Sequence, residues 1–266
     1  MGDPHNKPTI VYYAADQVMQ EKIKKRLIGL WLAFLFLGEW WASYEGRFDT
    51  AGVHRPLMLW ERPTRAQLTA IISRYRSADD AARLAGKVLV LSDCFGIDSL
   101  VYAGLITRES GWRQGAVSPT GASGLTQFTG PGIREVSAQL GIPSARARPE
   151  TVGWFRDQLE QCVQPRLKMA WTHLWKRALT LRQQKKLFRG DENLALVYGA
   201  VLLKTYVTVE RNQHPRSRGT WLMRRALARY NGERQPRLFN GRLVKGREAY
   251  QQSVMKLAGL WAGRAG

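Results

Sequence analysis

The sequence predicts a mainly α-helical protein with one small insert, and three observations carry that prediction. Apolar residues recur at helical spacing, as in Leu68, Ile71, Ile72 and Tyr75. Glycine and proline gather in a few short breaks between such stretches. One break, Ser118 to Phe128, holds Gly121 and Gly124 and reads as a β-hairpin or turn-rich insert. At 266 residues the chain can form one sizeable domain with appendages.

Residues 1–18, with Pro4 and Pro8 and few apolar repeats, read as a poorly structured leader. Residues 19–45 combine a basic patch (Lys22, Lys24, Lys25, Arg26) with the run LIGLWLAFLFLGEWWASY. That is the layout of a secretory signal or a membrane anchor. The apolar run is short for a span and Glu39 interrupts it, while Trp40, Trp41 and Tyr44 suit a membrane interface. Trp40 and Trp41 spoil a small-x-small cleavage site, which favours an uncleaved inner-membrane anchor through residues 27–44. Residues 46–86 read as a linker followed by accessory helices, one beginning at Thr64 and another spanning Asp79 to Ser92.

The main domain is expected over residues 87–266. Asp98 or Ser99 can cap a helix, because either side chain can accept a bond from a free backbone N–H. Leu100 to Ile106 is nearly all apolar, and Gly111 is a plausible stop. Glu109 falls near the end of this helix, on the face of Leu105 and Ile106. Apolar neighbours and the negative end of the helix dipole both disfavour its charged form and raise its pKa. A carboxyl protonated near neutral pH can serve as a general acid. Arg108 points about a hundred degrees away around the helix and need not neutralise it. No Asp or Glu occurs between Ser110 and Arg134. A sugar-cleaving site here therefore draws its second carboxylate from a distance or works with one. Gly121, Ala122 and Gly124 suit a tight turn that a ligand or another backbone approaches closely. Gln127 offers both a donor and an acceptor to a sugar amide or hydroxyl.

Downstream, Gly132 to Gly141 reads as a helix and Pro143 to Thr151 as a break. Val152 to Leu187 reads as amphipathic helix broken at Pro165, with Trp171 and Trp175 on one face. Lys185, Lys186 and Arg189 read as a solvated basic end. Gln213 to Gly219 is a loop, Gly232 to Gly246 a basic loop, and Tyr250 to Trp261 the last helix.

Lys and Arg number 41 against 21 Asp and Glu, a net +20, yet 44% of residues are apolar. That combination excludes a disordered polycation. It suits nucleic acid, anionic lipid or an anionic wall polymer. No nucleic-acid fold signature is present, so nucleic acid is not an expected partner. Cys94 and Cys162 make no C-x-x-C, and the four histidines are scattered. A metal site is therefore not expected. The two cysteines are either a disulfide of an exported protein or two separate buried thiols.

The stretch around Glu109 resembles the signature of the lytic transglycosylases with a goose-type lysozyme-like domain. That pattern is Glu-Ser, then a Ser, then Gly-Ala-x-Gly-Leu-x-Gln. It stands here as Glu109-Ser110, Ser118 and Gly121-Ala122-Ser123-Gly124-Leu125-Thr126-Gln127. Thr126 departs from the usual Met, and Thr129-Gly130-Pro131 places the proline late. Arg225-Ala226-Leu227-Ala228-Arg229-Tyr230-Asn231-Gly232 is similar to the family's Ala-x-x-Tyr-Asn-Gly segment, with Glu233 where a further Gly is common. Asn193 and the helix Leu194 to Leu203 resemble the middle segment loosely, because Gly199 comes two residues late and Leu202 replaces a Tyr. No role is carried onto Asn193. The resemblance covers about Lys87 to Trp261.

It implies a lysozyme-like fold and cleavage of the β-1,4 bond between N-acetylmuramic acid and N-acetylglucosamine. Glu109 would be the acid and then the base, with the substrate's own acetamido group replacing a second carboxylate. Ser118 and Gln127 would orient substrate and acid, and Tyr230 and Asn231 would lie at the cleft. No cofactor or metal is implied. The partners implied are peptidoglycan strands and a conjugation, secretion or phage assembly, with a periplasmic location. Two rival readings stand beside this one. A hydrolase of the same fold, in which water attacks in place of the 6-hydroxyl, would be favoured by Asp191, Glu192 or Glu233 reaching the cleft. A non-enzymatic wall-binding component would be indifferent to loss of Glu109.

Overall fold

A computed structural model describes residues 55–142, 153–168, 180–232, 238–239, 242–243 and 248–263. All of these belong to the unit Thr50–Gly266. The expected leader 1–18, the segment 19–45 with its candidate span 27–44, the break 143–151, Trp171, Trp175 and Glu233 lie outside the described residues. Among the described residues no helix is long and apolar enough to cross a membrane.

The protein is mainly helical. Helix α1 (Arg65–Ile72) starts on a reciprocal cap, in which Thr64 accepts from the Gln67 N–H and Gln67 returns a bond to the Thr64 N–H. Helix α2 (Ala78–Phe95) is capped by Ser77, with Asp79 and Asp80 at its positive end. It stops at Gly96, whose φ of +59° only glycine adopts freely. The catalytic candidate lies on α3 (Ser99–Ser110), followed by α4 (Gly130–Gln139), the short α5 (Arg156–Gln158) and α6 (Gln164–Leu167), and α7 (Leu181–Gly190). The long α8 (Glu192–Gln213), α9 (Gly219–Tyr230) and α10 (Glu248–Ala262) complete the helices. Strands β1 (Leu238–Phe239) and β2 (Arg242–Leu243) pair antiparallel between α9 and α10.

Helix α8 is the axis of the core. Every residue from Leu194 to Thr205 is buried, which marks a helix surrounded by protein on all sides. Helices α2, α4, α7 and α9 pack against it, and α10 packs along α3. Gly104 allows that last approach: a Cβ there would lie 3.0 Å from the Val254 carbonyl oxygen.

Three expectations are corrected. The boundary between residues 86 and 87 falls inside α2, so the accessory helices belong to the main unit. The described end of the expected linker, 55–63, is tied down: Leu57 pairs with Ile97, and the N–H groups of Leu59 and Trp60 donate to one oxygen of Asp98 at 2.8 and 3.0 Å. The stretch 156–167 is not broken at Pro165. Before the proline the helix widens, with the Gln164 N–H bonding five residues back to Leu159, and it turns at Lys168, φ +51°. In the insert, the β-hairpin alternative reduces to isolated bridges, Val117 with Ser123 and Ser123 with Phe128, and the turn-rich alternative describes it.

Cys94 and Cys162 form a disulfide that joins the last turn of α2 to this widened turn across 68 residues of sequence. Closing so long a loop restricts the unfolded chain, so Cys94→Ser should lower stability by about 2–4 kcal/mol. Urea unfolding of the mutant and of reduced wild type should show matching losses. Coincidence of both curves with oxidised wild type would count against a stabilising bridge.

Candidate active site

The site is built on α3. One Asp98 oxygen caps the helix by accepting from the Leu100 and Val101 N–H groups at 3.0 and 3.1 Å, so the capping choice left open by the sequence resolves to Asp98. Leu100 to Ile106 are all buried. The helix ends at Gly111, φ +57°, and Trp112 follows in the same left-handed region at φ +64°. That backbone is costly for a bulky residue. Trp112 is held there by full burial and by its indole N–H, which donates to the Thr107 hydroxyl at 2.8 Å. The chain reversal after Glu109 is therefore rigid.

Glu109 sits half-buried one residue before the helix end. Burial pushes its carboxyl from the usual 4.5 up to about 7, against a lowering by the Tyr250 hydroxyl and a smaller one by Arg108. Tyr250, in the first turn of α10, donates its hydroxyl hydrogen to Glu109 Oε1. Burial and the Glu109 charge hold the Tyr250 phenol well above its ordinary range, so it stays a donor. A hydrogen bond to a carboxylate favours the charged form. Tyr250→Phe should therefore raise the Glu109 pKa and move the high-pH limb of any acid-dependent rate upward. A pH–rate profile checks this, and an unmoved limb would show that the hydroxyl does not act on the acid.

The insert that follows is a clasped turn. Ser118 Oγ accepts from the Ala122 N–H at 3.0 Å and lies 3.0 Å from the Thr120 hydroxyl. Gln127, at φ +50°, donates from Nε2 to the Ala116 and Gly124 carbonyls at 3.1 and 2.8 Å. Ser118 and Gln127 thus shape the turn itself. Gly124 has φ +83°, and a Cβ there would lie 2.6 Å from the Phe188 carbonyl oxygen, so the turn rests directly on α7.

Tyr230 holds the turn. Its hydroxyl donates to the Thr126 carbonyl at 2.9 Å. Burial first, and then the Glu109 charge, hold it above the ordinary phenol range. Thr126 is buried and its own hydroxyl donates to the Ala195 carbonyl at 2.8 Å. A Cβ on Gly199 would meet the Thr126 methyl at 2.5 Å. The unusual Thr126 and the late Gly199 therefore meet in space, the glycine leaving room for the threonine.

Of the predicted residues, Tyr230 feels the charge of Glu109, and Ser118 and Gln127 stand in the turn that Tyr230 holds. Asn231 is exposed at the end of α9, where its backbone N–H donates to Leu227. Tyr250 was missed as a partner of the acid, because a bond across 141 residues leaves no local pattern. Asp191 caps α8 through the Leu194 N–H at 3.0 Å, and Glu192 pairs with Arg83 and Lys87. Among the described residues no group of three or more His, Cys, Asp and Glu is arranged to hold a metal ion. No protein-family model, curated protein or solved structure matches this chain.

Proposed function

We propose that this protein is a peptidoglycan lytic transglycosylase with a lysozyme-like catalytic domain and that Glu109 is its acid and base. The observation that carries the reading is a carboxyl raised to about 7 and hydrogen-bonded by a buried tyrosine, next to the rigid reversal at Gly111 and Trp112. Near neutral pH such a group exists in both forms, which suits a residue that first gives and then takes a proton. Glu109 protonates the glycosidic oxygen between N-acetylmuramic acid and N-acetylglucosamine. The neighbouring acetamido oxygen stabilises the cationic carbon. The carboxylate of Glu109 then draws the proton from the sugar's 6-hydroxyl as that oxygen closes on the carbon, leaving a 1,6-anhydro end. Tyr250 and Tyr230 hold the acid and the turn.

The engagement of Asp191 and Glu192 in a helix cap and an ion pair supports this one-carboxylate route over a hydrolase that uses either of them. The Cys94–Cys162 disulfide supports an oxidising compartment outside the cytoplasm. With segment 27–44 as anchor, the protein works at the inner membrane and opens the wall locally for a conjugation, secretion or phage assembly. The test is mass spectrometry of muropeptides released from purified sacculi by the full chain in mild detergent. Products lighter by one water than hydrolysed ones are expected. Reducing-ended products would make the protein a hydrolase, and intact sacculi would make it a binding component.

A further inference from the structure

Helix α7 contains five cationic or amide side chains among its first six residues and no acid anywhere from Leu181 to Gly190. Arg182, Lys185, Lys186 and Arg189 fall three or four residues apart, so they form one stripe. The inner face of the helix is buried through Gln184 and Phe188. Arg182, Lys186 and Arg189 are exposed and have no ion-pair partner among the described residues. Lys185 turns inward instead of ending in solvent: its ammonium donates to the Gly121 carbonyl at 2.7 Å. A carbonyl satisfies a hydrogen-bond donor without cancelling its charge.

The position of this stripe matters as much as its sign. The segment that leaves the Glu109 helix is stitched to α7 twice, by Gln114 Nε2 on the Phe188 carbonyl at 3.2 Å and by Lys185 on Gly121. The cations therefore border the turn that follows the Glu109 helix and that Tyr230 holds. From position 182 to 189 the stripe runs roughly 10 Å, the reach of a short peptide.

We propose that the basic stripe of α7 is a docking ledge for the carboxylate-bearing stem peptides of the glycan strand held at Glu109. This rests on the peptidoglycan reading above. A stem peptide is covalently attached to the sugar in the site, so its carboxylates reach the ledge at high effective concentration, and even weak exposed ion pairs then add to retention.

The test uses the full chain in mild detergent, carrying Glu109→Gln so that binding is read without cleavage. Retention is measured on intact sacculi and on sacculi stripped of stem peptides by an amidase. The variant Arg182→Glu/Lys186→Glu/Arg189→Glu should lower retention on intact sacculi about fivefold and leave stripped sacculi within about twofold. A control with the same charge change on other exposed arginines, Arg74→Glu/Arg216→Glu/Arg218→Glu, should leave both unchanged. Equal loss on both substrates, equal loss in the control, or no loss would overturn the ledge. Thermal melting confirms folding, and if the glutamate variant unfolds, the corresponding triple glutamine variant must show the same selective loss. Anhydro products from wild type without peptide-dependent retention would defeat the ledge alone. Peptide-dependent retention without anhydro products would defeat the transglycosylase reading alone.

Discussion

Glu109→Gln should reduce release of anhydro-muropeptides by about 10³-fold, the range expected when a single acid–base group is removed. The amide keeps the shape and can still accept from Tyr250, but it can neither give nor take the proton. Stability should move the other way. The Glu109 carboxyl is raised from 4.5 to about 7 in the folded protein, so the native state binds the proton more tightly than the unfolded chain does. Below about pH 4.5 both states are protonated and nothing is lost. As pH rises through about 7, the wild type loses on the order of 3 kcal/mol that the mutant keeps. Urea unfolding at pH 4.5 and pH 8 should show the gap between Gln and Glu widening in favour of Gln. A gap independent of pH would mean that the carboxyl is not raised, and undiminished product release would remove Glu109 from the chemistry.

Glu210→Ala should lower stability by about 3–5 kcal/mol, the cost of breaking a buried ion pair from one side. Glu210 is fully buried on α8, and its two oxygens accept from Arg229 Nε and Arg225 Nε, four residues apart on α9. Arg225 also lies 4.7 Å over the Trp221 ring, and Arg229 reaches Gln213 at 3.0 Å. Without the glutamate, two largely covered guanidinium groups lose the buried carboxylate that they share. The melting temperature should fall by roughly 10 °C, with Glu210→Gln falling less. Tyr230 is the next residue after Arg229, so the same change should loosen the tyrosine from Thr126 and depress activity at temperatures where the protein is still folded. A melting temperature within a degree of wild type would show that this network does not hold α8 to α9.

What could be read from the chain was local. A helix start at Asp98 or Ser99, the stop at Gly111, the exposure of Glu109 to apolar neighbours and the glycine turn all follow from residues within a few positions of one another. What could not be read was made by distance. Nothing in the sequence near Tyr250 announces a bond to Glu109, and nothing near Lys185 announces that its ammonium folds onto Gly121. The pairing of Cys94 with Cys162 was one of two readings until the helices brought them together. Thr126 and Gly199 looked like two unrelated departures from a pattern, and only their contact explains them jointly. The division at residue 86 failed because the extent of the family resemblance was taken as a boundary while α2 runs straight through it.

The fastening of the chain at residues 55–60 has a mechanical meaning. Lys204 and Arg211 of α8 hold the Arg55 carbonyl at 2.6 and 2.7 Å, Arg211 also holds that of Pro56 at 3.0 Å, and Asp98 holds Leu59 and Trp60. Tension arriving at Arg55 is therefore delivered to the central axis and to the first turn of the helix that ends in Glu109. Whatever pulls or steers the chain from its N-terminal side grips the molecule by its frame, and Glu109 turns with that frame.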